Sequence, residues 1–209
     1  MILGIETAST DLSVAIAGAD GAPLGSAAWS SDRRQAHELL PRLLELIEGA
    51  GLALAECRAI AVGLGPGSFT GLRVGLSVAK GIAFSLGVPI VGIPSLQAWL
   101  AAEPERAVAL TRAGAAEAFL LERSAAAPIV VPSAPLAGLG SAIAARELAG
   151  AFGLGDAVAP DRAALAVTGL AAARLADDPA GDDLERLEPI YLRGPRGIGL
   201  AIEGAIEWR

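Results

Sequence analysis

The apolar positions of the first 96 residues fall into short strand-like runs and two longer helix-like stretches. Three runs come first, at residues 2–7, 12–19 and 24–29, and short polar or Gly/Pro connections join them. Such connections between alternating runs predict an antiparallel meander. The pattern then predicts a helix, a strand, a second helix and a strand at residues 36–48, 58–64, 70–86 and 88–93.

This order of elements resembles the ribonuclease H-like lobe that the actin, sugar-kinase and Hsp70 ATPase superfamily uses twice. The strand–helix–strand connections require the first, fourth and fifth strands to be parallel, with right-handed crossovers. We therefore expect an α/β fold with two such lobes, mixed sheets and helices on both faces, in which the second lobe is reduced. The expected lobes are residues 1–96, with the association helices, and residues 97–209.

The second half of the chain carries weaker signals. Acidic pairs at Asp177-Asp178 and Asp182-Asp183 are interpreted as a solvated loop rather than a metal site. A flexible stretch is expected at residues 194–199, where glycines recur. The apolar runs predict strands at residues 107–110, 116–121, 129–131 and 189–193, and helices at residues 141–152 and 163–176.

A glycine-rich turn precedes the second predicted helix. Its residues are Gly65, Pro66, Gly67, Ser68, Phe69 and Thr70. Gly65 and Gly67 can adopt a positive φ at little steric cost, and Ser68 or Thr70 is expected to cap the helix. Unpaired N–H groups at a helix N-terminus can hold a phosphate, but the spacing matches neither common phosphate-loop pattern. Two interpretations remain, a phosphate site and a structural elbow between strand and helix.

Small residues recur at every fourth position of the second helix, from Gly71 to Gly87, so one face allows close backbone approach. The first helix carries more leucines than one core needs, with Pro41 expected near its first turn. Either the chain's own domain surrounds these helices or one face meets a partner. The predicted partner interface comprises Leu39, Leu43, Leu46, Gly71, Leu72, Arg73, Gly75, Leu76 and Ala79.

The composition limits the classes of function that the chain can have. Its 209 residues carry a formal net charge of −7, which disfavours an independent nucleic-acid binder because phosphates require a basic surface. The single Cys57 cannot form an intramolecular disulfide, which favours a reducing compartment. The apolar start lacks a basic region and contains Glu6 and Asp11, so we expect no secretory signal. Two uncharged spans, residues 81–102 and 124–145, are long enough to cross a bilayer, but prolines interrupt both. We therefore expect a cytoplasmic protein without a membrane segment.

Several segments closely resemble the bacterial TsaB (YeaZ) family. The strongest are the glycine string from Gly65 to Gly75 and His37 followed by Leu40-Pro41. The opening Ile2-Leu3-Gly4-Ile5-Glu6-Thr7-Ala8-Ser9 and the segments at residues 89–96 and 188–193 also match. Residues 107–160 diverge, because the family's Asp-Ala-Arg-like segment is replaced by Leu110-Thr111-Arg112-Ala113-Gly114.

The resemblance implies a non-catalytic subunit of the complex that transfers threonylcarbamoyl to adenosine 37 of tRNAs reading codons that start with A. In that role the chain would bind and support a TsaD-like catalytic subunit and would form a homodimer when alone. A TsaE-like ATPase would join the full complex. This chain would contact tRNA only through that complex. ATP and a metal are expected on the partner subunits and not on this chain.

The first hairpin differs from that of active ATPases in the superfamily, which resembles Asp-x-Gly-Thr. Here the residues are Glu6, Thr7, Ala8 and Ser9. Ala8 adds a Cβ where phosphate approaches, and Glu6 displaces the carboxylate by one methylene, so we expect a degenerate hairpin and no catalytic residue. His37 is the only histidine, so a metal site built on paired histidines cannot form. The alternative is a self-sufficient small-metabolite kinase or ATPase of the same fold.

Overall fold

The first lobe is built on a five-stranded sheet with the order β3-β2-β1-β4-β5. The computed structural model describes residues 1–132 and 141–192. The strands are β1 (Ile2–Glu6), β2 (Asp11–Ala17), β3 (Pro23–Ser30), β4 (Ala59–Gly63) and β5 (Ile90–Ile93). β1, β2 and β3 pair antiparallel, whereas β1, β4 and β5 are parallel. The predicted meander and the predicted parallel strands are both confirmed.

Two helices, α1 (Gln35–Gly49) and α2 (Phe69–Leu86), cover one face of this sheet. Their apolar residues pack on the β1 and β2 side chains that point to the same face. Pro41 lies inside α1 and not in its first turn, because the helix already begins at Gln35. Within the described ranges, α2 is the one helix that is long and apolar enough to span a bilayer. Buried core helices also meet this criterion of length and composition.

The second lobe is a four-stranded sheet with the order β8-β7-β6-β9. Its elements are α3 (Ser95–Ala102), β6 (Val108–Gly114), β7 (Glu117–Glu122), β8 (Ile129–Pro132), β9 (Ala142–Ala144) and α4 (Arg146–Ala151). The helix predicted over residues 141–152 is wrong in its first part, because β9 pairs parallel with β6. The sequence did not predict α3, whose Trp99 is fully buried between the lobes.

The last helix, α5 (Ala163–Asp177), returns to the first lobe and covers the second face of its sheet. Gly4 allows this close approach, because a Cβ there would lie 2.7 Å from the Ala164 carbonyl oxygen. The predicted division into residues 1–96 and 97–209 is therefore wrong for α5, whose small residues pack on the first sheet. Residues 189–192 form no strand, although the Ile190 N–H donates to the Leu64 carbonyl. The expected flexible stretch at residues 194–199 and Arg193 lie outside the described residues.

Candidate functional site

The glycine-rich turn packs directly against the turn between β1 and β2. The Ser68 N–H donates to the Ala8 carbonyl oxygen at 2.7 Å, and a Cβ on Gly67 would overlap that oxygen. Ser68 caps α2, because its Oγ accepts a hydrogen bond from the Gly71 N–H at 3.2 Å. Gly65 has a positive φ of 93°. The φ of Gly67 is not positive, and glycine is required there because a larger residue would not fit. The geometry supports the structural elbow, since protein atoms fill the gap between the two turns.

The small residues of α2 face the interior of the first lobe. A Cβ on Gly71 would overlap the Thr7 carbonyl oxygen, and one on Gly75 would overlap the Thr7 Oγ1. Ala79 is completely buried in the core between α2 and the sheet. The prediction that this face associates with a partner is therefore wrong, because the chain's own β1–β2 turn already covers it.

Most of the other residues predicted to form the partner interface are also buried. Leu39, Leu43, Leu72 and Leu76 lie in the cores of the chain itself, and Leu46 is half-buried. Of the predicted set, only Arg73 is exposed. Its guanidinium lies 4.2 Å from the ring centre of Phe69, and its Nε donates to the Tyr191 hydroxyl at 3.1 Å.

A different set of apolar side chains is exposed on α1 and α2. Leu40 and Leu44 are separated by one helical turn and are 39% and 41% exposed, and Phe84 is 79% exposed. These leucines are the surplus that the sequence showed beyond the needs of one core. Phe84 was missed, because a helix that is apolar nearly all round does not reveal from its sequence which residues face outward.

The carboxyl group of Glu6 lies in the protein interior. Its Oε1 accepts a hydrogen bond from the Ala8 N–H at 2.7 Å, and its Oε2 has no hydrogen-bond partner among the described residues. Burial raises the pKa of this carboxyl from 4.5 to about 7, and the hydrogen bond from the Ala8 N–H opposes the shift. Glu6 does not line the cleft between the lobes, so its carboxylate cannot organise a metal ion or water there.

The cleft between the lobes has a volume of about 630 Å³. Ala8 and Ser9 of the first hairpin, four residues of the glycine-rich turn and the β6–β7 hairpin all contribute to its wall. The charged residues that line it are Asp32, Arg33, Arg112 and Glu147. Sequence reasoning also missed Gln35, which lines the cleft at the start of α1 and is only 7% exposed.

An ion-pair network joins the two lobes beside this cleft. Asp11 of β2 is 1% exposed, and its carboxylate accepts hydrogen bonds from the backbone N–H and the Nη1 of Arg146, both at 2.6 Å. The Nη2 of Arg146 lies 2.5 Å from Asp161. No sequence signal identified this network, because Asp11 and Arg146 are 135 positions apart.

The acidic pairs near the C-terminus are only partly a solvated loop. Asp177, Asp178 and Asp183 are exposed, but Asp182 accepts hydrogen bonds from the Gly92 N–H and the Arg174 Nη2, both at 2.7 Å. The expectation is therefore wrong for Asp182, which attaches this segment to β5. Within residues 1–132 and 141–192, no group of three His, Cys, Asp or Glu side chains is placed to hold a metal ion.

Comparison with known proteins identifies the relatives of this chain. A protein of Mycobacterium tuberculosis (strain ATCC 25618 / H37Rv), named only as uncharacterized, is 34% identical over 208 residues, covering 96% of this chain and 95% of that protein. The solved structure of YeaZ from Pseudomonas aeruginosa superposes with a TM-score of 0.69 at 26% identity, covering 91% of this chain and 99% of YeaZ. The chain belongs to the TsaB (YeaZ) family. The predicted resemblance is thus confirmed.

Two further matches cover about half of the chain each. The tRNA threonylcarbamoyladenosine biosynthesis protein TsaB of Escherichia coli (strain K12) is 35% identical over 95 residues, covering 46% of this chain and 40% of that protein. The family model of TsaD, described as tRNA N6-adenosine threonylcarbamoyltransferase, matches residues 30–127. The part of this TsaB-family chain that resembles TsaD therefore includes α1, the glycine-rich turn and α2.

Proposed function

We propose that this chain is a non-catalytic subunit of the complex that transfers threonylcarbamoyl to adenosine 37 of tRNAs reading codons that start with A. The likeness to TsaB carries the proposal, since the E. coli relative is named for the biosynthesis of this modified nucleoside. The interior position of Glu6 supports a non-catalytic role, because the carboxylate of the first hairpin does not reach the cleft. We expect ATP and a metal on the partner subunits.

The proposed partner is a TsaD-like catalytic subunit. Because the TsaD family model matches α1 and α2, the two proteins can pair through equivalent helices about a pseudo-twofold axis. The proposed contact surface is the exposed side of these helices, with Leu40, Leu44 and Phe84, since exposed apolar patches mark interaction sites. When the partner is absent, the same surface would form a homodimer. A homodimer and a heterodimer would therefore compete for it.

The remaining partners are proposed to act through the assembled complex. The net charge of −7 gives the isolated chain little attraction for phosphates, so we propose that tRNA is contacted through the complex. A TsaE-like ATPase would join the same assembly. This division of labour supports a cytoplasmic location, together with tRNA.

The alternative function is a self-sufficient small-metabolite kinase or ATPase of the same fold. The open cleft between the lobes favours it. ATP turnover distinguishes the two proposals, because a kinase or ATPase transfers the phosphate of ATP or hydrolyses ATP without a partner protein. Turnover by the purified chain at a rate above about 1 s⁻¹, in the range of ordinary enzymes, would contradict the subunit proposal.

Reconstitution with the TsaD-like subunit of the same cell tests the proposed function. Threonylcarbamoyl transfer to tRNA should require both proteins, and Leu44→Asp or Phe84→Asp should abolish their co-purification. Ile129→Asp is the matched control, because Ile129 is an apolar residue on β8 of the other lobe whose exposure of 57% lies between those of Leu44 and Phe84. Transfer that does not need this chain would contradict the proposal.

A further inference from the structure

We propose that Glu6 and Trp99 form a proton-dependent contact between β1 and α3. When the Glu6 carboxyl releases its proton to solvent water, its Oε2 accepts a hydrogen bond from the Trp99 indole N–H. When the carboxyl is neutral, this bond is absent. The contact is independent of the proposed function, since it requires neither a partner protein nor catalysis.

Both polar groups lie in the protein interior, where an unmade hydrogen bond is costly. Glu6 and Trp99 are fully buried. Among the described residues, the Glu6 Oε2 and the Trp99 Nε1 are buried side-chain atoms that have no hydrogen-bond partner. An ionised carboxylate only accepts hydrogen bonds and an indole N–H only donates them. A single bond between the two groups would therefore satisfy both atoms.

The carboxyl and the indole are close neighbours across the boundary between β1 and α3. The Trp99 N–H acts on the Glu6 carboxyl and favours its charged form. Ser95, one turn before Trp99 on α3, faces the same carboxyl. A Cβ placed on Gly63 would overlap the Glu6 Oε2 and lie 2.8 Å from the Ser95 Oγ. The Ser95 Oγ accepts a hydrogen bond from the Gly65 N–H at 2.9 Å, whereas the indole N–H of the same helix is unbonded.

The charge at this position changes in the neutral pH range. Burial raises the pKa of Glu6 to about 7, and the groups that most oppose this shift are uncharged. Asp11, the acidic residue of β2, is bound to Arg146 of α4. The groups around the carboxyl are the N–H groups of Thr7 and Ala8, the side chains of Ser95 and Trp99 on α3, Gly63 of β4 and, opposite Glu6 on β2, Ser13.

The position of the Trp99 ring affects the packing between the lobes. Trp99 belongs to the core cluster that joins Ala8 and Leu72 of the first lobe to Phe119 of the second. Because protein interiors are close-packed, a movement of the indole toward Glu6 changes the contacts of this cluster. Ionisation of one carboxyl is thereby coupled to the contact between the lobes.

NMR of the purified chain with ¹⁵N-labelled tryptophan tests this contact. The chain has three tryptophans, so the Trp99 indole signal is the one that both Trp29→Phe and Trp208→Phe retain. It should move downfield as the pH rises through about 7, because the indole gains a charge-assisted hydrogen bond. Glu6→Gln should leave the signal in place at every pH. Glu45→Gln, at an exposed position on α1, should titrate like wild type.

The pKa of Glu6 itself gives the reciprocal test. It is measured from the side-chain carboxyl signal of ¹³C-labelled glutamate that Glu6→Gln removes. Trp99→Phe should raise this pKa by about 1 or more, because the charged form loses its indole donor. Trp29→Phe is the matched control, since it removes an indole that binds Glu38 instead. It should leave the pKa of Glu6 unchanged.

Thermal melts check that the variants fold. If Trp99→Phe does not fold, the indole titrations of wild type and Glu6→Gln decide the question without it. The proposal is wrong if the Trp99 signal does not move between about pH 5 and about pH 9, or if it moves equally in Glu6→Gln. It is also wrong if a folded Trp99→Phe protein keeps the wild-type pKa of Glu6.

Discussion

Gly75 lies where α2 crosses the β1–β2 turn, and any larger residue there would collide with Thr7. Gly75→Leu should lower the free energy of unfolding by at least about 1–3 kcal/mol, since overpacking shifts backbone and side chains. Urea denaturation gives the value. Gly81→Ala is the control, because a Cβ at Gly81 meets no atom within 4 Å. That variant should be more stable than wild type by up to about 1 kcal/mol. A Gly75→Leu protein as stable as wild type would contradict the burial of this face of α2 against the β1–β2 turn.

The raised pKa of Glu6 predicts how the free energy of unfolding depends on pH. Its pKa is raised from 4.5 to about 7, so the folded protein holds a proton in this range that the unfolded chain releases. The stability from the neutral carboxyl is therefore complete below pH 4.5 and is lost as the pH rises through 7. The loss is about 3 kcal/mol, from the size of the pKa shift.

Glu6→Gln should remove this dependence, because glutamine remains neutral at every pH. The variant should be more stable than wild type at pH 8 and similar to it at pH 4.5. Free energies of unfolding from urea titrations at several pH values measure the difference. Glu45→Gln, at an exposed position on α1, should leave the wild-type profile unchanged. A wild-type profile without a decline between pH 4.5 and pH 7 would contradict the raised pKa of the buried Glu6 carboxyl.

Among the elements, α2 shows what sequence reasoning can and cannot predict. Its bounds, its Ser68 cap and its burial follow from local pattern and cap chemistry, which depend on neighbouring residues. Which surface contacts Gly71 and Gly75 depends on the position of the β1–β2 turn, more than 60 residues earlier in the chain. A small-residue face indicates close packing, but not whether the neighbour belongs to the same chain.

The missed elements have a related cause. Ala142, Ile143, Ala144 and Ala145 are apolar at every position, so the pattern fits a buried strand as well as a helix. The segment forms a strand because its backbone pairs with β6. Likewise, the sequence identified the first hairpin and the glycine-rich turn as two separate features. Tertiary packing brings them together at the cleft and adds Gln35 and Arg112 to it.

The contact between β2 and α4 gives a prediction at the element scale. Arg146→Ala leaves the buried carboxylate of Asp11 with only one hydrogen bond, to the backbone N–H of residue 146. The free energy of unfolding should fall by about 2 kcal/mol or more, because an uncompensated buried charge is strongly destabilising. Arg34→Ala, which breaks an exposed pair with Glu38, should change it by less than about 1 kcal/mol. Equal effects in urea titrations would show that the interlobe pair is solvated.

For the whole molecule, the exposed sides of α1 and α2 predict the association state. The isolated chain should be a homodimer by light scattering, because a second copy can cover Leu40, Leu44 and Phe84 about a twofold axis. Phe84→Asp should give a monomer, since the twofold axis places the new charge in the apolar contact twice. The monomer should still fold and unfold cooperatively on heating, because Phe84 is 79% exposed within its own chain, although its Tm should fall by the stability that the dimer contact supplies.

Two further measurements make this prediction specific. Ile129→Asp should remain dimeric, because it places the same charge on an exposed apolar position of the second lobe. Added TsaD-like subunit should convert the wild-type homodimer into a heterodimer, because both assemblies use one surface. A ternary assembly that retains the homodimer would show that the two contacts are separate. A Phe84→Asp protein that stays dimeric would place the homodimer contact elsewhere on the chain.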